Sequence, residues 1–143
     1  MVTTEKNKAT IRRFWEEVFT GTNLSLLDDL FTNDWISHGV GGQKIYGPKG
    51  LKQFLTDYYH AFPDIRVNVE NLIAEGDKVV SHVTSRGTHK GELMGIAPTG
   101  TRVTVPVICI SRFVDDKIVE DWEISDLFGI LQQLDVIPSP GQK

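Results

Sequence analysis

The hydrophobic side chains of this chain change their spacing once, from a helical period in the first half to alternation in the second. Ile11, Phe14, Trp15, Val18 and Phe19 stand at i, i+3, i+4, i+7 and i+8, the spacing of one apolar helix face. Later apolar residues alternate with polar ones, as they do in half-buried strands. Helices followed by strands predict an α+β fold, in which N-terminal helices pack on one face of a curved, mainly antiparallel sheet.

Two further helices are predicted before the strands begin. A short helix covers residues 24–33, with Phe31 on its apolar side. The glycine-rich segment 35–47 is expected to be irregular or briefly extended. Pro48 suits the first turn of a longer helix, which Pro63 stops.

The strands are predicted around residues 67–69, 79–87, 103–114 and 117–124. Turn residues at 75–77 and 115–116 leave room only for antiparallel hairpins, whereas 89–100 is a longer, glycine-rich loop. A last short helix is expected over 127–134, followed by a tail that contains Pro138 and Pro140. Enclosed between the curved sheet and the helices, we expect a mostly apolar cavity of ligand size.

Composition narrows the class of protein. The 143 residues suit a single domain, residues 1–143, and a net charge of −4 offers no attraction to nucleic acid or to an anionic membrane. Cys109 is the only cysteine and cannot form an intrachain disulfide. Because no signal-peptide core and no apolar run of about 20 residues is present, we expect a cytoplasmic protein outside the membrane.

Two stretches of the sequence resemble the SnoaL-like polyketide cyclase family. The first is the loop GTHKGELMGIAPTG at residues 87–100, and the second runs from Arg112-Phe113 through DKIVEDW at 116–122 to LQQL at 131–134. The resemblance implies a cone-shaped α+β barrel, shared with nuclear transport factor 2 and ketosteroid isomerase, that forms a homodimer or homotetramer through its outer sheet. It also implies general acid/base chemistry by one pocket aspartate, without a metal or organic cofactor.

By its position after the tryptophan and before the last helix, Asp126 matches the family's catalytic aspartate. Removal from water would raise the pKa of such a carboxyl towards neutrality, where it can exchange protons. From the residues alone, Asp126 is also a good N-cap for the last helix. Asp121 is a rival, but if Trp122 lines the cavity then its strand neighbour Asp121 faces outwards.

Histidines are the other candidates for catalysis. His38, beside the glycine-rich segment, is second after Asp126, and His82 could project inwards from its strand or simply hydrogen-bond within the sheet. His89 is expected to shape the entrance, and His60 to face solvent. Close spacing such as His-x-x-x-His is absent from the sequence, so no metal site is predicted.

The predicted lining of the cavity is largely aromatic. It consists of side chains that are expected to contact a hydrophobic, oxygenated small molecule: Phe14, Trp15, Phe54, Tyr58, His89, Met94 and Trp122. The sequence contains neither Gly-x-Ser-x-Gly, nor a P-loop, nor a dinucleotide glycine fingerprint. The resemblance therefore makes an acid/base enzyme of the SnoaL-like type the first hypothesis, with intramolecular aldol-type cyclisation or related isomerase or lyase chemistry as its reaction.

Two alternatives stay open. The first is a binding protein that holds an apolar ligand unchanged, because a cone-shaped pocket needs only shape and a few polar anchors. The second is an epoxide-opening or hydrolytic enzyme, in which Arg86 or Arg112 would pair with Asp126 around a water molecule.

Overall fold

The chain begins with a helix, α1, at Thr3–Arg13, which continues as a π-helical segment over Phe14–Thr20. The computed structural model describes residues 2–39 and 42–138, so the predicted tail position Pro140 lies outside the described residues. After a 3₁₀ turn at Leu24–Leu26 the remaining elements follow in this order: α2 Leu27–Leu30, β1 Phe31–His38, β2 Lys44–Tyr46, α3 Gly47–Ala61, β3 Arg66–Glu75, β4 Lys78–Thr88, β5 Arg102–Val114, β6 Lys117–Ser125 and α4 Leu127–Gln133.

The six strands form one sheet in the order β2-β1-β6-β5-β4-β3. The predicted hairpins are confirmed: β3 pairs antiparallel with β4, and β5 pairs antiparallel with both β4 and β6. The exception is β1, which runs parallel to β6. This pair joins two segments separated by about half the chain, which is why turn lengths between consecutive strands gave no sign of it.

The prediction for residues 24–47 is partly wrong. The second helix ends at Leu30, Phe31 opens β1, and the segment expected to be irregular contains most of β1 and all of β2. Phe31 and Trp35 are both 2% exposed, packed on the inner side of the sheet. Pairing with β6 provides hydrogen-bond partners for the backbone N–H and C=O groups of β1. Local sequence patterns cannot predict this long-range contact. Residues 40 and 41 lie outside the described part of the chain.

The core lies between the inner face of the sheet and the helices. Alternate residues of β5 point inwards and are buried, as the alternating sequence predicts. Leu55 and Phe62 from the α3 region and Trp15 from the π-helical segment pack against this face. The indole N–H of Trp15 donates to Ser81 Oγ at 3.1 Å, so the buried indole keeps a polar partner.

A β-bulge in β6 sets which side chains face inwards. Arg112 pairs with Glu120 and Phe113 with Ile118, so one extra residue, Val119, stands in β6 opposite this step. Strict alternation from the buried Ile118 would turn residues 120, 122 and 124 inwards. The extra residue reverses this, and residues 121, 123 and 125 face the helices instead.

The loop of residues 89–100 is held in place by its first residue, His89. His89 is fully buried, and its Nδ1 accepts the backbone N–H of Thr99 at 3.2 Å. Gly91 passes so close to α3 that an added Cβ would overlap the carbonyl of His60. His89 therefore holds the base of the loop from inside the protein and is not at the entrance, where the sequence led us to expect it.

Candidate active site

Two adjoining chambers open between the helices and the inner face of the sheet. The outer chamber has a volume of about 280 Å³ and the inner one of about 40 Å³. They share six lining residues, which mark the junction between them: Trp15, Phe19, Ser37, Ile45, Phe54 and Glu123. The outer chamber is of the size expected for a small ligand, whereas the inner one has room for little more than water or a small substituent.

Five of the residues predicted to contact a ligand line these chambers. Phe14 lines the inner chamber, Tyr58 and Met94 line the outer one, and Trp15 and Phe54 line both. The four aromatic rings among them belong to a continuous cluster, in which the Phe14 and Trp15 centroids are 5.0 Å apart and those of Phe54 and Tyr58 are 6.0 Å apart. Contact with a ligand itself stays a prediction.

The inner chamber ends at the carboxyl group of Asp121, which is 8% exposed. Its Oδ2 accepts the indole N–H of Trp35 at 3.1 Å, while Oδ1 has no hydrogen-bond partner among the described residues. Burial raises the pKa of Asp121 to about 6, against the lowering effect of the hydrogen bond from Trp35. Asp121 is therefore a carboxyl that takes up a proton not far below neutral pH.

Glu123, two residues further along β6, stands at the junction of the two chambers. Burial, and then the charge of Asp121, raise the pKa of Glu123 to about 7. Unlike Asp121, Glu123 also lines the outer chamber, where a ligand would be held. A carboxyl with this pKa at this place can both accept and return a proton at neutral pH.

Asp126 lies elsewhere. It is exposed, precedes α4, and its Oδ1 accepts the backbone N–H of Gly129 at 2.8 Å. This is the N-cap geometry that the sequence also allowed. Among the described residues, those lining the two chambers do not include Asp126.

His38 and Trp122 meet on the outer face of the sheet, away from the chambers. Their rings stack with centroids 5.7 Å apart. His38 Nε2 lies 2.8 Å from Glu120 Oε2, and the Arg112 guanidinium donates to the other oxygen at 3.1 Å. The hydrogen bond from His38 is the main cause that holds the pKa of Glu120 below its usual range. The sequence had placed Trp122 in the cavity lining; the bulge in β6 turns it outwards.

His82 also faces outwards. The residues of β4 that point to the helices are Val79, Ser81, Val83 and Ser85, so His82 belongs to the opposite row. Its Nδ1 lies 3.0 Å from the side-chain amide of Asn71 on β3. The hydrogen-bonded sheet histidine, which was one of the two readings of the sequence, describes this position.

Sequence reasoning missed Glu123 and misjudged the direction of Asp121. A signal was present, because Asp121, Glu123 and Ser125 alternate and so share one face of a strand. The phase of that alternation was taken from Trp122, on the expectation that the bulkiest apolar side chain faces the cavity. The structure shows the polar row inside and the tryptophan outside.

Within residues 2–39 and 42–138, no group of three or more His, Cys, Asp or Glu side chains is arranged to hold a metal ion. In the same part of the chain, every helix is too short or too polar to span a membrane.

Solved structures of other proteins share this fold. The fold is the one shared with nuclear transport factor 2 and ketosteroid isomerase. AclR of Streptomyces galilaeus, to which a hydroxylase activity has been ascribed, superposes with a TM-score of 0.86 at 26% identity, over 98% of this chain and 87% of its own. IdmH of Streptomyces antibioticus, ascribed a polyketide cyclase activity, superposes with a TM-score of 0.80 at 30% identity, over 90% of this chain and 98% of its own.

The sequence profile of the SnoaL-like polyketide cyclases matches residues 9–134. The chain therefore belongs to the SnoaL-like polyketide cyclase family. A characterised relative is the nogalonic acid methyl ester cyclase of Streptomyces nogalater, which is 28% identical over 100 residues, 69% of this chain and 72% of that enzyme.

Proposed function

We propose that this protein is a cofactor-free acid/base catalyst that closes a ring in a hydrophobic, oxygenated small molecule, with Glu123 as the group that moves the proton. The observation that carries the proposal is the position of Glu123 at the junction of the chambers, with a pKa of about 7. Burial produces that pKa, and the same burial makes the carboxylate a stronger base towards a carbon acid than it is in water.

The chemical step requires one proton acceptor and one route for its return. The Glu123 carboxylate takes a proton from a carbon flanked by carbonyl groups, which leaves an enolate. The enolate electron pair then forms the new C–C bond to a second carbonyl carbon, whose π pair moves to its oxygen. The protonated Glu123 then returns the proton to the resulting alkoxide oxygen. Asp121, buried behind Glu123, contributes a negative charge that keeps the pKa of Glu123 high.

Asp126 is the rival base, since the resemblance to the family points to it. The two residues differ in surroundings: Glu123 lines both chambers, whereas Asp126 is exposed and accepts a hydrogen bond from Gly129.

The alternative of epoxide opening has less support, because Arg112 pairs with Glu120 on the outer face and Arg86 is exposed. Neither arginine is among the described residues that line the chambers.

Nogalonic acid methyl ester, the compound named for the curated relative, is the first test compound. We expect the protein to convert it to a cyclised isomer of the same mass, without added metal or cofactor, and chromatography coupled to mass spectrometry detects that product. If the ester binds and is recovered unchanged after prolonged incubation, the protein is a binding protein towards this compound and the proposal fails for it.

A second copy of this chain is the partner that we propose for the outer face of the sheet. Apolar side chains in adjacent register cover this face: Ile108 pairs with Ile124, and Ile110 with Trp122. Ile124 is 77% exposed, and Ile73 on β3 adds a further exposed side chain to the same face. An apolar surface of this kind is costly to leave in water.

The double substitution Ile108→Glu with Ile124→Glu is expected to turn a wild-type dimer or tetramer into a monomer, because it brings like charges together across such a contact. Sedimentation equilibrium measures the change. Val2→Glu, an exposed apolar residue at the start of α1, is the matched control and is expected to keep the wild-type mass. A monomeric wild type, or an assembly that survives the double substitution, would contradict the proposal.

A further inference from the structure

Tyr58 lines the outer chamber opposite the sheet and has no part in the mechanism described so far. Its ring is held by aromatic neighbours: the centroids of Phe19, Phe54 and Phe62 lie 5.5, 6.0 and 5.1 Å away. A ring packed in this way has little freedom, so its hydroxyl occupies a defined place in the chamber.

Two polar residues line the same chamber as Tyr58. Ser85, on the inner face of β4, is 4% exposed and lines the chamber beside Tyr58. Glu123 lies near enough for its charge to affect Tyr58. In the described residues this chamber therefore offers a hydroxyl donor and a carboxyl group to one ligand, between apolar walls.

We propose that the Tyr58 hydroxyl donates a hydrogen bond to a substrate carbonyl oxygen while Glu123 removes the proton from the adjacent carbon. The inference rests on the proposed function and deepens it by naming the group that meets the negative charge on the substrate oxygen. As the C–H electron pair becomes the enolate double bond, the carbonyl π pair moves to oxygen, and the new negative charge is met by the Tyr58 O–H.

The electrostatics of the chamber favour this role. Burial raises the pKa of Tyr58 to about 12, while hydrogen bonding with Ser85 lowers it and the Glu123 charge raises it. The hydroxyl consequently keeps its proton at neutral pH and acts as a donor. In the proposed arrangement the Ser85 O–H, in the same chamber lining, donates to the phenol oxygen and leaves the tyrosine proton free to point at a ligand. Ser85 is thus a positioning residue.

Tyr59 provides the matched comparison. Its hydroxyl already donates to the carbonyl oxygen of Val18 at 2.6 Å, so this neighbouring tyrosine uses its proton within the fold. Tyr59 is not among the described residues that line either chamber. Tyr59→Phe therefore removes a hydroxyl from the same helix without touching the chamber.

The probe for this inference is 4-nitrophenolate, a planar aromatic anion whose oxygen imitates an enolate oxygen. Its binding is measured by equilibrium dialysis and by the visible absorption band of the bound anion, in the wild-type protein and in Glu123→Gln. We expect Tyr58→Phe to weaken binding by roughly tenfold or more, since a hydrogen bond to a charged oxygen is lost. The absorption band of the remaining bound anion should move to longer wavelength, because that hydrogen bond stabilises the ground-state charge.

Tyr59→Phe is expected to bind the probe as the wild type does, and Ser85→Ala to shift the band part of the way. Equal affinity and an unchanged band in Tyr58→Phe would overturn the inference, and so would the failure of both wild type and Glu123→Gln to bind the probe. The binding measurement needs no turnover, so it can fail while the proposed function stands. The proposed function is tested separately, by the loss of ring closure in Glu123→Gln.

Discussion

Glu123→Gln is expected to lower kcat/KM for ring closure by about 10²–10⁴-fold, the usual contribution of a general base. Glutamine keeps the shape of the side chain and its place at the junction of the two chambers, but it cannot take a proton. Steady-state kinetics with nogalonic acid methyl ester, or with any substrate later shown to turn over, measures the effect. In the wild type, kcat/KM should rise with pH up to about 7, the pKa of Glu123 in the ligand-free protein, as the carboxyl loses its proton.

Asp126→Asn tests whether Asp126, rather than Glu123, is the general base. Asparagine is also a good N-cap, so the hydrogen bond from the Gly129 N–H to residue 126 survives and the folded state should be kept. We expect Asp126→Asn to retain most of the wild-type kcat/KM. If Asp126→Asn is inactive and Glu123→Gln is active, the general base is Asp126 and the proposal for Glu123 is wrong.

The stability of the folded protein is expected to fall as pH rises from about 4 to about 7. Burial raises the pKa of Asp121 from 3.8 to about 6 and that of Glu123 from 4.5 to about 7. Between these limits the folded state holds protons that the unfolded chain has released, so the free energy of unfolding decreases with pH. For the two coupled groups together, the fall is on the order of 6 kcal/mol.

Urea unfolding at a series of pH values measures this fall. Asp64 and Glu120 have lowered pKa values and act in the opposite direction, but both lie at the surface, where solvent screening keeps such contributions small. Glu123→Gln should flatten the pH dependence, whereas Glu75→Gln, at an exposed position of β3, should preserve it. A stability curve that rises over this range, or one that Glu123→Gln leaves unchanged, would show that these carboxyls are not protonated in the folded state.

Much of the fold was predictable because local patterns specify most of its elements. The helix that contains Trp15, the helix that begins at Gly47-Pro48 and the antiparallel hairpins of β3 to β6 all follow from hydrophobic spacing and turn residues. The parallel strand β1 was not predictable in this way. Phe31 and Trp35 belong to a strand because β6 lies beside them, and the chain between the two contains no local trace of that contact.

The candidate site, like the fold, was predictable from the sequence only in part. The aromatic lining, with Trp15, Phe54 and Tyr58, was found from sequence because large apolar residues at helical spacing must face the interior. His38 and His82, predicted from their chemistry alone, stand on the outer face. A residue type can indicate what a side chain is able to do, but only the strand phase decides whether it does so inside a cavity or in water.

By itself, the sequence determined the first helix, the order of helices and strands from Gly47 onwards, the family, and the presence of a carboxyl-rich last strand. The tertiary structure alone decided which of those carboxyls face a ligand. The physical reason is the single extra residue at Val119: side chains alternate along a strand, so one inserted residue exchanges the two faces of everything after it. It brings Asp121 and Glu123 into the chambers and turns Trp122 outwards.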